Sequence, residues 1–408
     1  MSECEHPARI VAGRLDEGPR AGATPAAAAV NRFIARREDD RDDLAARWDA
    51  RAADGAATAF QSGRWVATWY STIGPAVGAP LRIAVHDRAT GVLAALLPLV
   101  VRTVARCRVV EFADCGVSDY NAPVLGPAAP ADAPGAELFW AAVRTALPDA
   151  DLVRFKRMPR EIEGRVNPLA LLAAARASTG SSNVVAIDGS WADFLATLKG
   201  TLRRQVARHW RAFLRHDGAR FRHVTDPAEA APILAALERQ QSARLRGRGV
   251  PYALDAPHLA AFYRKLLADS LGEGSVVLTA LTCGDEVVAV LLGIARGATY
   301  VMLRMSIGGV EWSACSPGRM VILQTMKMLH ARRCRYFDFS IGDYDYKRRL
   351  GATSRPLVEL TVPLSPRGWP LAAVEGAKRL VRGNRALADL ARRVMAAFPP
   401  RRRHPESV

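Results

Sequence analysis

No Cys-x-x-Cys pair occurs in this 408-residue chain, and none of its six cysteines (Cys4, Cys107, Cys115, Cys283, Cys315, Cys334) has a histidine at ligand spacing. That excludes a zinc site of ordinary spacing and a disulfide framework, and it fits a reducing cytoplasm. Neither Gly-x-Gly-x-x-Gly nor a phosphate loop ending in Gly-Lys-Ser/Thr is present, which argues against dinucleotide binding and nucleotide hydrolysis. Ser275, Ser306 and Ser316 lack a Gly-x-Ser-x-Gly setting, so a serine hydrolase is disfavoured. The longest apolar run, residues 92–101, is far short of the roughly 20 residues that span a bilayer. Residues 1–18 mix acids with bases and have no apolar centre, so no secretory signal is visible. Lysine is scarce as well: Lys156, Lys199, Lys265, Lys327, Lys347 and Lys378 stand among 57 basic residues, and the rest are arginine.

Half of the residues are hydrophobic, enough for two domains of ordinary size. The formal net charge of +17 favours anionic partners: nucleic acid, an acidic membrane surface or a phosphorylated ligand. A GC-rich coding sequence produces the same arginine and alanine bias without any function, and composition does not separate the two readings. His209, His216 and His223 are spaced by seven, but Gly218 intervenes and no carboxylate partner is evident, so they read as surface residues.

Periodicity divides the chain into four parts. Residues 1–40, rich in Ala, Gly, Pro and Arg, are expected to be disordered. In 41–180, helices at 42–53 and from 62, the latter with Trp65 and Trp69 one turn apart, precede strands at 81–86, 92–101 and 108–112. The loop Ser118-Asp119-Tyr120-Asn121, a short strand at 122–125, helix 136–146, strand 151–155 and helix 167–177 complete that unit. In 181–365, a strand at 184–187 and a helix at 191–198 come first. Helix 202–214 follows, with Leu202, Val206, Trp210 and Phe213 on one stripe and Arg203, Arg204, Arg208 and Arg211, with Arg215 just beyond, covering the rest. Long helices at 227–245 and 257–271 lead to strands 276–283, 286–295 and 299–305, the first two a hairpin through Gly284-Asp285. Helix 317–331, strand 336–341 and strand 357–363 close the unit. Strands, one helix and one more strand, twice over, predict tandem domains of the α/β (α+β) class, each a mixed, largely antiparallel sheet flanked by helices. Residues 366–408 read as a basic amphipathic helix and tail.

The stretch 301–351 carries the chemistry. Ser316-Pro317-Gly318-Arg319 opens a helix, with Ser316 as N-cap and Pro317 at the first helical position. N–H groups of Gly318, Arg319 and Met320 then face outward with the helix dipole behind them, which suits a pyrophosphate; a well-capped helix is the alternative.

In order along the chain come Ser316-Pro317-Gly318, then Phe337-Asp338-Phe339-x-x-Gly342-Asp343, then Tyr346-Lys347-x-x-x-Gly351. This succession resembles the acetyltransferase domain of the CelD-type cellulose and exopolysaccharide biosynthesis family, a branch of the GNAT superfamily close to the Fem aminoacyltransferases. The basic helix 202–214 and Phe60-Gln61-Ser62-x-x-Trp65 add to a resemblance that covers roughly residues 41–365. Two departures stand out. Ala314-Cys315 replace the family's usual Arg-Tyr pair, and the GNAT pyrophosphate loop has only an approximate echo in Arg304-Met305-Ser306-Ile307-Gly308-Gly309.

The resemblance implies an N- or O-acyltransferase whose donor is acetyl-CoA or another acyl-CoA, acting on a small-molecule, saccharide or amine acceptor in exopolysaccharide, cellulose or cell-envelope metabolism. Arg304, Met305, Ser306, Ser316, Gly318, Arg319 and Met320 are then the donor-binding residues, with backbone at 304–306 polarising the thioester carbonyl. Asp343 is the expected base, or else a helix cap or turn residue; Tyr346 the acid, or else a packing aromatic. Lys347 binds a phosphate or orients the acceptor, or else sits on the surface. A Fem-like transferase using aminoacyl-tRNA, the only reading with a tRNA partner, and a scaffold without a donor site are the alternatives. Trp369, Val374, Val381, Leu387, Leu390, Val394 and Phe398 form an apolar stripe among basic residues. Such a helix lies on an anionic membrane surface, peripheral to the inner membrane, or docks on its own domain with a solvated basic face.

Overall fold

The computed structural model describes residues 31–38 and 43–383. Its first half runs β1 (Phe33–Arg37), α1 (Leu44–Arg51), α2 (Gly63–Thr72), α3 (Gly74–Val77), β2 (Ala79–Asp87), β3 (Leu93–Val104), β4 (Cys107–Phe112), β5 (Val124–Leu125), α4 (Ala133–Ala146) and β6 (Leu152–Pro159). A hairpin of β7 (Glu161–Ile162) and β8 (Arg165–Val166), then α5 (Pro168–Leu171), leads to β9 (Ala175–Ala186). The second half contains α6 (Trp191–Thr197), α7 (Gly200–Phe213), β10 (Ala219–Val224), α8 (Pro227–Arg246), α9 (Pro257–Ser270), β11 (Val276–Cys283), β12 (Glu286–Arg296) and β13 (Thr299–Ile307). It ends with α10 (Pro317–Ala331), β14 (Tyr336–Asp338), α11 (Asp345–Arg349), β15 (Thr353–Pro363) and α12 (Gly368–Gly383).

Local chemistry starts the helices where the sequence places them. The Ser62 hydroxyl accepts from the Trp65 N–H at 3.4 Å, and Trp65 and Trp69 are buried together on the inner face of α2. Asp132 caps α4 by accepting from the Gly135 N–H at 2.7 Å, and Asp226 caps α8 from the Ala228 N–H at 2.9 Å.

All strands except the β7–β8 hairpin join one mixed sheet, ordered β1-β2-β3-β4-β6-β15-β9-β14-β13-β12-β11-β10, with β5 beside β3. Each half repeats one plan: an antiparallel run ends in a short parallel pair whose crossover is a helix. In the first half β4 pairs β6 across α4; in the second β13 pairs β14 across α10. The halves then exchange strands, since β9 of the first pairs β14 of the second while β15 of the second pairs β6 of the first. Helix α4 covers one face of the first half and α10 the same role in the second. Between the halves, α2 packs on α9, with Trp65 edge-on to Phe262 at 4.8 Å.

Several expectations need correction. The helix at 167–177 shrinks to Pro168–Leu171, because residues from Ala175 onward pair with β15 and the Ser/Thr-rich run that follows forms helix poorly. Strand β1 lies inside the segment expected to be disordered, held by Ile83–Asp87; residues 1–30 and 39–42 lie outside the described residues. Strand β10 was not expected from the arginine-rich residues 219–224, yet it completes the sheet edge against β11. Finally, the strand expected at 336–341 ends at Asp338, and that early end makes the cleft described next. The junction expected at 180/181 falls within β9.

Candidate active site

Strand β14 stops pairing at Asp338, opposite Val301, while β13 continues to Ile307. A β-bulge assists the separation: Arg304 pairs with Leu292 and Met302 with Gly293, leaving Leu303 as the extra residue. Past this point the two strands diverge, and the gap opens into a cleft of about 1470 Å³ between β13, α8, the start of α10 and the loop after β14. It is large for a small-molecule pocket, which typically holds about 300–1,000 Å³. Arg239, Arg244, Arg248 and Arg319 line it, and none has a carboxylate partner among the described residues. The cleft can therefore hold an extended, anionic ligand.

Of the seven donor-binding candidates, the structure brings Met305, Ser316, Gly318 and Arg319 to the cleft wall. Arg304 is turned away by the bulge: its guanidinium donates to Gln241 Oε1 at 2.7 and 3.0 Å and to the Tyr252 hydroxyl at 2.6 Å, over the Tyr263 ring. Ser306 is buried, its hydroxyl donating to Gln240 Oε1 at 2.6 Å. Met320 faces the core under α10. The expected cap also differs. Ser316 adopts a left-handed conformation (φ 47°) and its side chain caps nothing; its carbonyl instead accepts from the N–H groups of Arg319 and Met320 at 3.0 and 3.1 Å. Of the three amides expected to face a ligand, only that of Gly318 stays uncommitted.

The loop after β14 gathers the remaining polar groups. Ser340, with φ 64°, is held in a left-handed conformation by five hydrogen bonds. Its N–H donates to Asp338 Oδ1 at 2.6 Å, and its hydroxyl both donates to Asp119 and accepts from the Ile341 N–H at 2.6 Å. Its carbonyl accepts from Asn183 at 3.0 Å and from Lys347 Nζ at 3.1 Å. The first half closes this network from the other side, because the Tyr120 hydroxyl donates to Asp338 Oδ1 at 2.8 Å.

Lys347 is 1% exposed, turned inward by the short helix α11. Nζ also donates to the Ile341 carbonyl at 2.6 Å and lies 5.4 Å from the centre of the Tyr344 ring, so the chain itself occupies its donors. Burial lowers its pKa to about 8, against the raising influence of Asp338, Asp119 and Asp343. Tyr346 lines the cleft with its ring against Phe339 and Tyr344, and burial raises its hydroxyl to about 12, so it stays protonated. Asp343 is not among the residues that line the cleft. The chain turns outward at Gly342 (φ 93°), leaving the carboxylate 71% exposed and paired with Arg348.

Two carboxyls that motif reading passed over take the central positions. Asp119 lines the cleft, its pKa raised by burial and lowered in part by the Ser340 hydroxyl. Asp338 is buried outright, which pushes it up to about 7 against the lowering hydrogen bonds from Tyr120 and Ser340. Both left a trace in the sequence. An aspartate between two phenylalanines in a strand demands a buried partner, and Ser118-Asp119-Tyr120-Asn121 is a polar run between two apolar strands.

Residues 200–348, from α7 into α11, match the protein family described as Acetyltransferase (GNAT) domain. The second half thus carries an acyltransferase domain, and of the residues that line the cleft all but Asp119 fall within the match. Across its length the chain is similar to a solved structure of FemX, with 12% identity and a TM-score of 0.57 over 81% of this chain and 97% of that one. A conserved protein of unknown function from Bacteroides thetaiotaomicron VPI-5482 gives 12% identity and a TM-score of 0.50, covering 81% and 99%. A tandem GNAT protein from the clavulanic acid biosynthesis pathway gives 14% identity and a TM-score of 0.45, covering 82% and 99%. No curated protein matches. The likeness to the first two structures is one of fold.

Proposed function

We propose that the cleft binds an acyl-CoA thioester and that the chain transfers its acyl group to an amine or hydroxyl of a small-molecule or saccharide acceptor. The observation that carries this reading is Asp119, a carboxylate of the first half hydrogen-bonded to Ser340 in the wall of the cleft that opens between β13 and β14. The four arginines, which have no carboxylate partner among the described residues, and the Gly318 N–H suit the donor's phosphates, and the edge of β13 that β14 leaves unpaired suits the amide-bearing arm of the thioester. The acceptor's proton passes to Asp119 as its nitrogen or oxygen bonds to the carbonyl carbon. Backbone amides of β13 beyond Val301 stabilise the oxyanion. The carbon–sulfur bond then breaks; the thiolate accepts a hydrogen bond from the Tyr346 hydroxyl and afterwards a proton from solvent, to which Asp119 returns its own. The CelD-type motifs support an acceptor from exopolysaccharide or envelope metabolism.

Thermal unfolding with acetyl-CoA, longer acyl-CoA and free CoA tests the donor. A ligand at a hundred times its dissociation constant stabilises the fold by about 2.7 kcal/mol. Release of free thiol in the presence of amine and saccharide acceptors tests the transfer. If no CoA species raises the melting temperature and aminoacyl-tRNA does, the donor is the tRNA ester; if neither does, the domain is a scaffold.

A further inference from the structure

We infer that the outer face of α12 is a docking surface for an anionic phospholipid bilayer. The helix is amphipathic the wrong way round for a water-facing element. Trp369, Val374 and Leu380 are 65%, 47% and 70% exposed. At about 100° per residue, Trp369, Pro370, Ala373, Val374, Ala377 and Leu380 occupy one outward arc of roughly 140° that holds no charge. Glu375 and Arg379 point inward instead. Glu375 is 8% exposed and accepts from Lys156 at 2.7 Å and Arg154 at 3.2 Å, while Arg379 donates to Glu359 at 2.9 Å. Beside them Leu371 and Ala372 pack on Cys107, Val109 and Leu152. Ion pairs and packing together fix the rotation of α12, so the apolar arc cannot roll onto the sheet without stranding Glu375.

Charge selects the occupant. Exposed Arg367 and Lys378 border the arc, and residues 384–408 contain Arg385, Arg392, Arg393, Arg401, Arg402 and Arg403 against Asp389 and Glu406. A second protein surface needs only apolar complementarity, whereas apolar side chains edged by cations match lipid with acidic headgroups. None of the described helices is long and apolar enough to cross a membrane, so the contact is interfacial.

The test is co-sedimentation of the full chain with vesicles of phosphatidylcholine alone or mixed with phosphatidylglycerol. Wild type is expected to bind the mixed vesicles about tenfold more strongly, with binding falling as salt rises. The double variant Trp369→Ser/Leu380→Ser, whose changes lie on exposed positions, should unfold at the same temperature yet lose about tenfold in vesicle binding. Equal sedimentation of variant and wild type overturns the proposal. So does a wild-type dimer in light scattering that the variant abolishes without any vesicle binding, which assigns the arc to a second copy.

Discussion

The Tyr120 hydroxyl donates to Asp338 Oδ1 at 2.8 Å, across 218 positions of sequence. The same oxygen accepts from the Ser340 N–H at 2.6 Å, so one buried carboxyl group joins a loop of the first half to the loop that shapes the cleft of the second. Each half supplies what the other lacks: the first contributes Asp119 and Tyr120, the second the diverging strands. The strand exchange between β9 and β15 keeps the halves in register, so the two loops meet in a fixed geometry.

Asp119→Asn is expected to lower the turnover number by about a hundredfold to ten-thousandfold, as loss of a general base does, with donor affinity little changed. Asp343→Asn, at an exposed ion pair, should stay near wild type. Steady-state kinetics on both variants decides; a large loss in Asp343→Asn alone would return the base to the outer loop.

Lys347→Met should lower turnover and melting temperature together, because Nζ holds the carbonyls of Ser340 and Ile341. Loss of charged hydrogen bonds of this kind costs about 1.5–3 kcal/mol each. The donor's Michaelis constant is expected to move by less than about threefold. A large rise in that constant at unchanged turnover would instead make Lys347 a phosphate ligand.

Burial raises Asp338 from 3.8 to about 7, so the folded chain holds this proton more tightly than the unfolded chain. Stability from this group is therefore complete below pH 3.8 and is lost as the pH rises through about 7. Asp338→Asn keeps an Oδ1 acceptor for Tyr120 and Ser340 but cannot ionise. Urea unfolding should show the variant gaining on wild type between pH 5 and pH 8; identical pH slopes would rule out this titration.

Gly293 sits beside the bulge, where an added Cβ would lie 2.2 Å from the Tyr300 ring. Tyr300 packs at 4.8 Å on Phe337, beneath the point where the strands part. Gly293→Ala is expected to cost about 1–3 kcal/mol by overpacking and to weaken donor binding as the splay shifts. Denaturation midpoints and ligand-induced melting shifts measure the two effects; a variant as stable as wild type would mean that Tyr300 has room to move.

Much of this was legible in the sequence, and the remainder was not, for one physical reason. Periodicity and the preference of proline for the first helical turn are local, so helix α10 begins at Pro317 and ends at Ala331 as expected, and Trp65 and Trp69 share a buried face. Motif order was equally readable: Ser316-Pro317-Gly318 and Tyr346-Lys347 mark the element starts that bound the cleft. Side-chain direction was not. Lys347 turns inward and Asp343 outward although they stand only four positions apart, because the turn at Gly342 and the helix α11 set their angles to the strand end. Partners distant in sequence were invisible as well, since nothing near Asp338 specifies Tyr120 and nothing near Ser340 specifies Asp119. Strand pairing decided those meetings: the ladder chosen by β9 and β15 shortened the helix expected at 167–177, and it set the first half's loop against the second half's cleft. Local preference determined the elements, while long-range burial and hydrogen bonding decided which of their polar groups share a site.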